Sequence, residues 1–260
     1  MSGLPSGWVS ATLQDLAAVE PRSITDGPFG SNLKTAHYTN AGPRVIRLQN
    51  IGDGVFLDEQ AHISQEHFNA LLSHSVRPND LLIAGMGETL PRACLAPKEL
   101  GDAIVKADCF RVRLHPTIQP GYVCAVLNSP LVRSAASKRI SGVGRPRLNL
   151  KKLREVRVPV PPAAEQKRIV AAVEEQFSRM DVGVVALERV IGALTNTQAG
   201  RVGRLRSAIL STAVSGKLVP QDPSDEPASV LLERIAQERL SSRGHKPTKA
   251  RRQRRRKATA

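Results

Sequence analysis

The 260-residue sequence predicts an α+β protein, a globular mixed α/β domain over residues 1–160 followed by a long helix that pairs as a coiled coil. Three observations lead there. Short apolar runs separated by Gly and Pro fill the first 160 residues, with neither an alternating strand–helix rhythm nor an even sandwich pattern. At Val158-Pro159-Val160-Pro161-Pro162 the character changes, and apolar residues then recur at heptad spacing. The chain is 41% hydrophobic and 23% charged, enough apolar content to build a real core.

Within the first domain, Val45-Ile46-Arg47-Leu48, Leu81-Leu82-Ile83-Ala84 and Phe110-Arg111-Val112-Arg113-Leu114 read as strands, the last alternating with period two. Ser64 can cap a short helix over 65–72, and residues 120–139 offer helical stretches interrupted by Pro130. Gly27-Pro28, Gly52-Asp53-Gly54 and Ser141-Gly142-Val143-Gly144 mark turns and exposed loops.

Pro161 and Pro162 end a strand and preset the first turn of the helix that follows. Its apolar stripe runs through Val173, Phe177, Met180, Val184, Leu187, Ile191 and Leu194, in steps of three and four from Phe177 onward. After Gln198 the stripe resumes at Val202, Leu205 and Ile209, with a stutter or a break near residues 195–203. Gly183, Gly192, Gly200 and Gly203 each cost a lone helix about 1 kcal/mol against alanine. Unbroken from 162 to 215 the rod would be about 80 Å long, too long to bury its stripe against one domain, so a partner helix is expected. Gly216 is a natural stop, followed by a Pro-rich polar linker and a short amphipathic helix over 230–240.

No run of eighteen apolar residues occurs, and the opening MSGLPSGWVS lacks the apolar stretch of a signal peptide, so a cytoplasmic protein without a membrane span is expected. Cys94, Cys109 and Cys124 lie fifteen residues apart with no Cys-x-x-Cys, which fits neither a disulfide framework nor a zinc ribbon; reduced core thiols are expected. His62 and His67 are five apart and do not form a facing helical pair, and no metal ligand set is expected.

The formal charge of +15 is unevenly spread. Residues 1–160 hold 19 basic and 13 acidic side chains, residues 161–242 balance at ten each, and residues 243–257 carry nine Lys or Arg and no acid. The tail reads as a disordered polybasic arm over 243–260, able to contact phosphates without reading sequence.

Catalytic patterns are weak. Asp80-Leu-Leu-Ile-Ala-Gly85-Met-Gly87-Glu88 places a Gly-x-Gly turn after an apolar strand, in partial likeness to the cofactor loop of an S-adenosylmethionine methyltransferase. Asn128-Ser129-Pro130-Leu131 partly matches the Asn-Pro-Pro-Tyr grip of adenine methyltransferases, but lacks the second proline and the aromatic. A nuclease would want clustered carboxylates beside a lysine, which Asp80 and Glu88 do not provide. No catalytic residue is assigned.

Binding reads better. Residues 133–157 carry nine Lys or Arg against the single acid Glu155, and the loop SGVGRPRLNLKKLR suits tracking phosphates. Candidate DNA-binding residues in and beside it are Arg139, Arg145, Arg147, Asn149, Lys151 and Lys152. Two further groups are Ser31, Asn32 and Lys34 in GPFGSNLK, and Arg47, Gln49 and Asn50, which can read purine edges bidentately. Arg92, after the Gly-x-Gly turn, completes the candidate set. With only 3% aromatics for stacking, duplex DNA is a better match than single strands or RNA.

These segments in this order resemble the specificity (S) subunit of type I DNA restriction-modification systems. Leu4-Pro5-Ser6-Gly7-Trp8 is similar to the start of its target recognition domain, and GPFGSNLK, VIRLQNIGDG, LLIAGMGETLPRA and ADCFRVRL to the body. VPVPPAAEQKRIVAAVE resembles the family's strand-to-helix junction, with Pro161, Pro162, Glu165 and Gln166 as its signature, and ILSTAVSGKLVPQDPSDEPASVLLERI resembles its C-terminal box. The resemblance spans roughly residues 4–240. It implies a non-catalytic reader with a DNA-binding target recognition domain over 1–160, a spacer and dimerisation helix over 161–216, and a linker with a short helix over 217–242.

In that family each recognition domain contacts half of a bipartite duplex site, and paired helices set the gap between halves. Modification subunits methylate adenine with S-adenosylmethionine, and a restriction subunit uses ATP and Mg2+, so no cofactor is expected in this chain. The family usually carries two recognition domains and two helices per chain. Here one of each is found without internal repeat, so a homodimer or pairing with a second half-length subunit is expected. Two rivals remain: a truncated interaction subunit that assembles without reading, and a methyltransferase binding S-adenosylmethionine itself.

Overall fold

The computed structural model describes residues 3–138, 146–191 and 196–244. In chain order the regular elements are β1 (Val9–Thr12), α1 (Leu13–Leu16), β2 (Ile24–Asp26), β3 (Tyr38–Ile46), β4 (His62–Ile63), α2 (Gln65–Ala70), β5 (Ser75–Val76), β6 (Leu81–Ala84), β7 (Arg92–Leu95), β8 (Ala103–Val105) and β9 (Cys109–Val112). There follow α3 (Pro120–Leu127), α4 (Pro130–Ser137), α5 (Leu150–Arg154), β10 (Arg157–Val160), α6 (Ala163–Ile191), α7 (Asn196–Val214) and α8 (Ala228–Gly244).

The strands form two four-stranded sheets and one ribbon. An antiparallel sheet runs β2-β9-β6-β7, and a mixed sheet runs β4-β3-β8-β5 with β3 and β8 parallel. β6 and β9 are buried throughout, which is why their sequences read as continuous apolar runs. The chain passes from one sheet to the other through the short turn between β8 and β9, which makes that turn a junction of the fold. β1 and β10 pair antiparallel from Val9 opposite Val160 to Thr12 opposite Arg157, so the two ends of the first domain close on each other.

The local signals act as expected at several places. Ser64 caps α2 by accepting from the His67 amide at 3.1 Å. Pro120 and Pro130 each open a helix, where a missing N–H costs nothing. The junction signature is a buried node. Trp8 Nε1 donates to Glu165 Oε2 at 2.9 Å, the Gln119 amide donates to Gln166 Oε1 at 3.0 Å, and Gln166 Nε2 donates to the Pro161 carbonyl at 3.0 Å. Tyr122 donates to the Pro159 carbonyl at 2.9 Å and meets the Trp8 ring edge-on, with centroids 6.4 Å apart. Glu165 and Gln166 thus tie the start of α6 to the N-terminal strand and to α3, a structural use of the two polar residues.

The helical region differs from the single rod. α6 and α7 are separate helices that run antiparallel, since Arg206 pairs with Asp181 at 2.5 Å and lies over the Phe177 ring at 5.0 Å, while Leu210, Ala213 and Val214 return to the main core. Val173 is buried, Phe177, Met180, Val184, Val202 and Ile209 are half-buried, and Leu187 and Leu205 stay 43% and 51% exposed. Ile191 closes α6, and Leu194 lies outside the described residues. The expected partner for the stripe is therefore supplied in part by the same chain. Folding back covers apolar surface intramolecularly, at an effective concentration that a second molecule rarely matches.

The linker and last helix are also part of this body. Asp225 pairs with Arg168 at 2.6 Å, and the Ala228 amide donates to the Gly7 carbonyl at 2.9 Å. α8 buries Ala228, Leu231 and Ile235 in the main core, packs on α1, and pairs Glu238 with His115 Nε2 at 2.9 Å. The expected tail begins at residue 243, and residues 245–260 lie outside the described residues.

Candidate nucleic-acid interface

One turn organises the candidate surface. Lys106, Ala107 and Asp108 link β8 to β9; the Lys106 amide donates to the Ile46 carbonyl at 2.8 Å, and the Gly85 amide donates to the Asp108 carbonyl at 2.7 Å. Asp108 sits at φ 66°, the left-handed region in which Asp and Asn are enriched among non-glycine residues. The loop after β2 crosses the same turn so closely that a Cβ on Gly27 would come within 2.0 Å of the Lys106 carbonyl carbon, so only glycine fits there. On the other side Arg147 pairs with Asp108 through Nε at 3.1 Å and through Nη2, while the Leu148 amide donates to the Gly85 carbonyl at 2.8 Å. The loop after β2, the end of β3, the turn after β6 and the approach to α5 therefore meet at three residues.

The predicted residues distribute unevenly over this surface. Ser31 and Asn32 are exposed in a short 3-10 turn, and Lys34 is exposed just after it. That loop is held by His67 Nε2, which donates to the Asn32 carbonyl at 2.8 Å, and by the tilted contact of the His37 and His67 rings, whose centroids are 4.3 Å apart. Arg47 is half-buried and donates to the Gln60 carbonyl at 3.2 Å. Gln49 is exposed, and its amide oxygen accepts from Arg47 Nη1 and Nη2 at 3.2 and 3.1 Å. Arg92 donates to the Leu48 carbonyl at 3.3 Å, and with Gln49, Glu88 and Thr89 it lines an open cleft. Arg147 is 55% exposed at its side chain despite its partner.

Asn50 is different. It is fully buried, accepts from the Arg47 amide at 2.8 Å, and donates to the Leu57 and Glu59 carbonyls at 2.8 and 2.7 Å. Its amide is saturated by its own loop and presents nothing to a ligand, so its place is structural and the base-reading expectation for it is corrected. Asn149 caps α5 by accepting from the Lys152 amide at 2.8 Å. Lys151 is exposed and Lys152 half-buried on that helix, which packs on α1 and β2. Arg139 and Arg145 lie outside the described residues.

Residues that resembled catalytic elements have structural occupations. Asp80, 3% exposed, binds Arg113 bidentately at 2.8 and 3.0 Å, accepts from the Arg77 amide at 2.8 Å and lies 3.9 Å from Arg111. Burial among other cations pushes the Arg111 guanidinium down to about 10. Asn128 donates to the Ala93 and Cys124 carbonyls at 2.8 and 3.0 Å and accepts from the Ala93 amide at 3.0 Å, so it stitches α3 to β7 rather than gripping a base. Burial pushes the Cys94 and Cys109 thiols up to about 12, and Cys124 higher still, so all three remain protonated and unreactive near neutrality. Among the described residues no three His, Cys, Asp or Glu side chains gather as a metal site, and no helix is long and apolar enough to cross a membrane.

Lys106 and Asp108 were not singled out by sequence. The only local signal was a turn-forming Asp directly before an alternating strand; what Asp108 touches is set by segments far away in the chain.

The chain has relatives among known proteins. Residues 116–180 match the model of the type I restriction modification DNA specificity domain, a span running from α3 through the junction into α6. The chain is 30% identical over 257 residues to the type I restriction enzyme EcoBI specificity subunit of Escherichia coli, covering 95% of this chain and 51% of that protein. It is 34% identical over 122 residues to the EcoDI specificity subunit of the same species, covering 44% of this chain and 26% of that protein. A chain from a solved type I R-M system, described for its complex assembly and conformational transition, shares the fold with a TM-score of 0.50 at 22% identity, over 83% of this chain and 47% of that chain. The chain spans about half the length of the curated relative it matches over most of its own length. With residues 116–180 matching the specificity domain and nearly its whole length matching half of the EcoBI subunit, the chain is similar to the type I restriction-modification specificity subunits.

Proposed function

We propose that this chain is a non-catalytic reader of duplex DNA that directs a type I restriction-modification complex to its target. The observation that carries the reading is the meeting of four separate segments at the Lys106–Asp108 turn: Arg147 pairs with Asp108 there, Ser31, Asn32 and Lys34 follow Gly27 in its loop, and Gln49 follows Ile46 and lines an open cleft with Arg92. Loops held by a β scaffold suit recognition: phosphate contacts set register, and amide or guanidinium groups read base edges. Lys151 on the exposed side of α5 is an additional phosphate contact, and Asn149 and Lys152 serve the helix beside it.

One such face covers half of a bipartite site. A second half comes from another copy of this chain or from a second half-length subunit, held through the α6–α7 hairpin, whose Val182, Val185, Leu187 and Leu205 are exposed. Modification subunits supply adenine methylation with S-adenosylmethionine, and a restriction subunit supplies the ATP- and Mg2+-dependent step.

The test is a map of adenine methylation across the host genome with and without this gene. Loss of one gapped motif on deletion is expected, palindromic for a homodimer and asymmetric for a mixed pair. An unchanged map in a host with active modification subunits refutes the reading.

A further inference from the structure

The geometry points to Asp108 as a positioning residue for DNA recognition, one that holds the Arg147 guanidinium in a fixed orientation on the reading face and holds back its charge until duplex DNA arrives. This inference rests on the function proposed above.

Two observations carry it. Arg147 meets one carboxylate oxygen with both Nε and Nη2, and among the described residues Nη1 and the remaining Nη2 hydrogen have no partner and can face a ligand. The backbone of the same aspartate is fixed independently of that pair. Its φ is 66°, its carbonyl accepts from Gly85, and the preceding residues are pinned under Gly27 and against Ile46. Arg147 itself is anchored on the far side by its bridge to Met86 and by the Leu148 amide. The pair is therefore an exposed side chain tethered to a backbone held in place from several sides.

A tethered guanidinium loses less freedom on binding and offers only one approach, which favours a correctly placed acceptor over a misplaced one. The carboxylate, about a quarter exposed, also places negative charge where phosphates would approach, which weakens indiscriminate binding. Lys106, two residues away, keeps its ammonium 5.4 Å from the Tyr38 ring centroid and adds to the positive side of that balance.

The experiment uses the full chain and two duplexes, one carrying the motif that loses methylation when the gene is deleted and one with that motif scrambled. Asp108→Asn suits the backbone, because Asn tolerates the left-handed region, and it removes only the charge. Expected for Asp108→Asn are tighter binding to the scrambled duplex, a steeper dependence of affinity on salt, and discrimination between the duplexes reduced roughly tenfold, as for coupled residues in contact. In an Arg147→Ala background the same substitution should leave discrimination unchanged, which a purely structural role for Asp108 would not produce. Unchanged thermal melting of Asp108→Asn confirms that the fold is intact.

Equal discrimination by wild type and Asp108→Asn overturns the inference, as does an equal loss with or without Arg147. Failure of the wild-type chain to prefer its motif overturns the recognition reading itself, and this inference with it.

Discussion

Replacing Asp80 with alanine should destabilise the protein by about 3–5 kcal/mol, the usual cost of removing one partner of a buried ion pair. Asp80 is 3% exposed and Arg111 is 2% exposed, so the substitution strands a guanidinium that water cannot reach. Two charge-assisted hydrogen bonds to Arg113 are lost, each worth about 1.5–3 kcal/mol and not additive, together with the bond from the Arg77 amide. Arg113 keeps its contact with Glu20, which moderates the damage. Asp80→Asn retains an acceptor and should lose about half as much. Urea unfolding followed by circular dichroism at neutral pH measures both, and the alanine variant should melt about 6–20 °C lower. An alanine variant within about 1 kcal/mol of wild type would refute the claim that Asp80 is a structural counter-ion, and would reopen a functional role for the turn that follows β6.

Four further outcomes are expected. The carboxyl of Glu20 sits below its ordinary range because the pull of Arg113 and Arg77 outweighs partial burial. Its contribution is therefore present above the ordinary carboxylate range and lost as pH falls through the depressed value, so Glu20→Gln should flatten the acid limb of a stability–pH curve. Burial pushes Glu165 up against the lowering bond from Trp8. The folded state then holds that proton more tightly than the unfolded state, and stability falls as pH rises through the window above the ordinary value; Glu165→Gln should remove that fall. Leu231→Ala, on the buried face of α8, should cost about 2–5 kcal/mol and release the C-terminal helix to limited proteolysis. Replacing exposed Val182 and Leu205 by serine should leave melting within a degree or two but shift a dimer toward monomer in sedimentation, if the hairpin carries the pairing.

Some elements were legible because their causes are local. Leu81–Ala84, the Ser64 cap, the proline starts at 120 and 130 and the stop before Gly216 each depend on a handful of neighbouring residues, and each stands where expected. The exposed polar loop around Ser31 and Lys34 was equally visible, since Gly, Pro, Ser and Asn together announce a turn. Other assignments failed to show because their causes are distant. Asn50 looks like a purine reader beside Arg47 and Gln49, and only the return of residues 57–59 to its amide makes it structural. Asp80 and Glu165 carry no local sign of the arginines and the indole that claim them.

By itself, the sequence determined an α+β domain, a heptad-like helical region, a basic balance and a family likeness, all of which follow from composition, period and contiguous motifs. Tertiary structure alone decided that the helical stripe folds back on itself, that the C-terminal helix straps the first domain, and that three residues between β8 and β9 gather four distant segments. Those outcomes depend on which apolar faces compete for the same core and which carbonyls meet which amides across more than a hundred residues. That competition is settled by the whole chain at once, and no local pattern encodes its result.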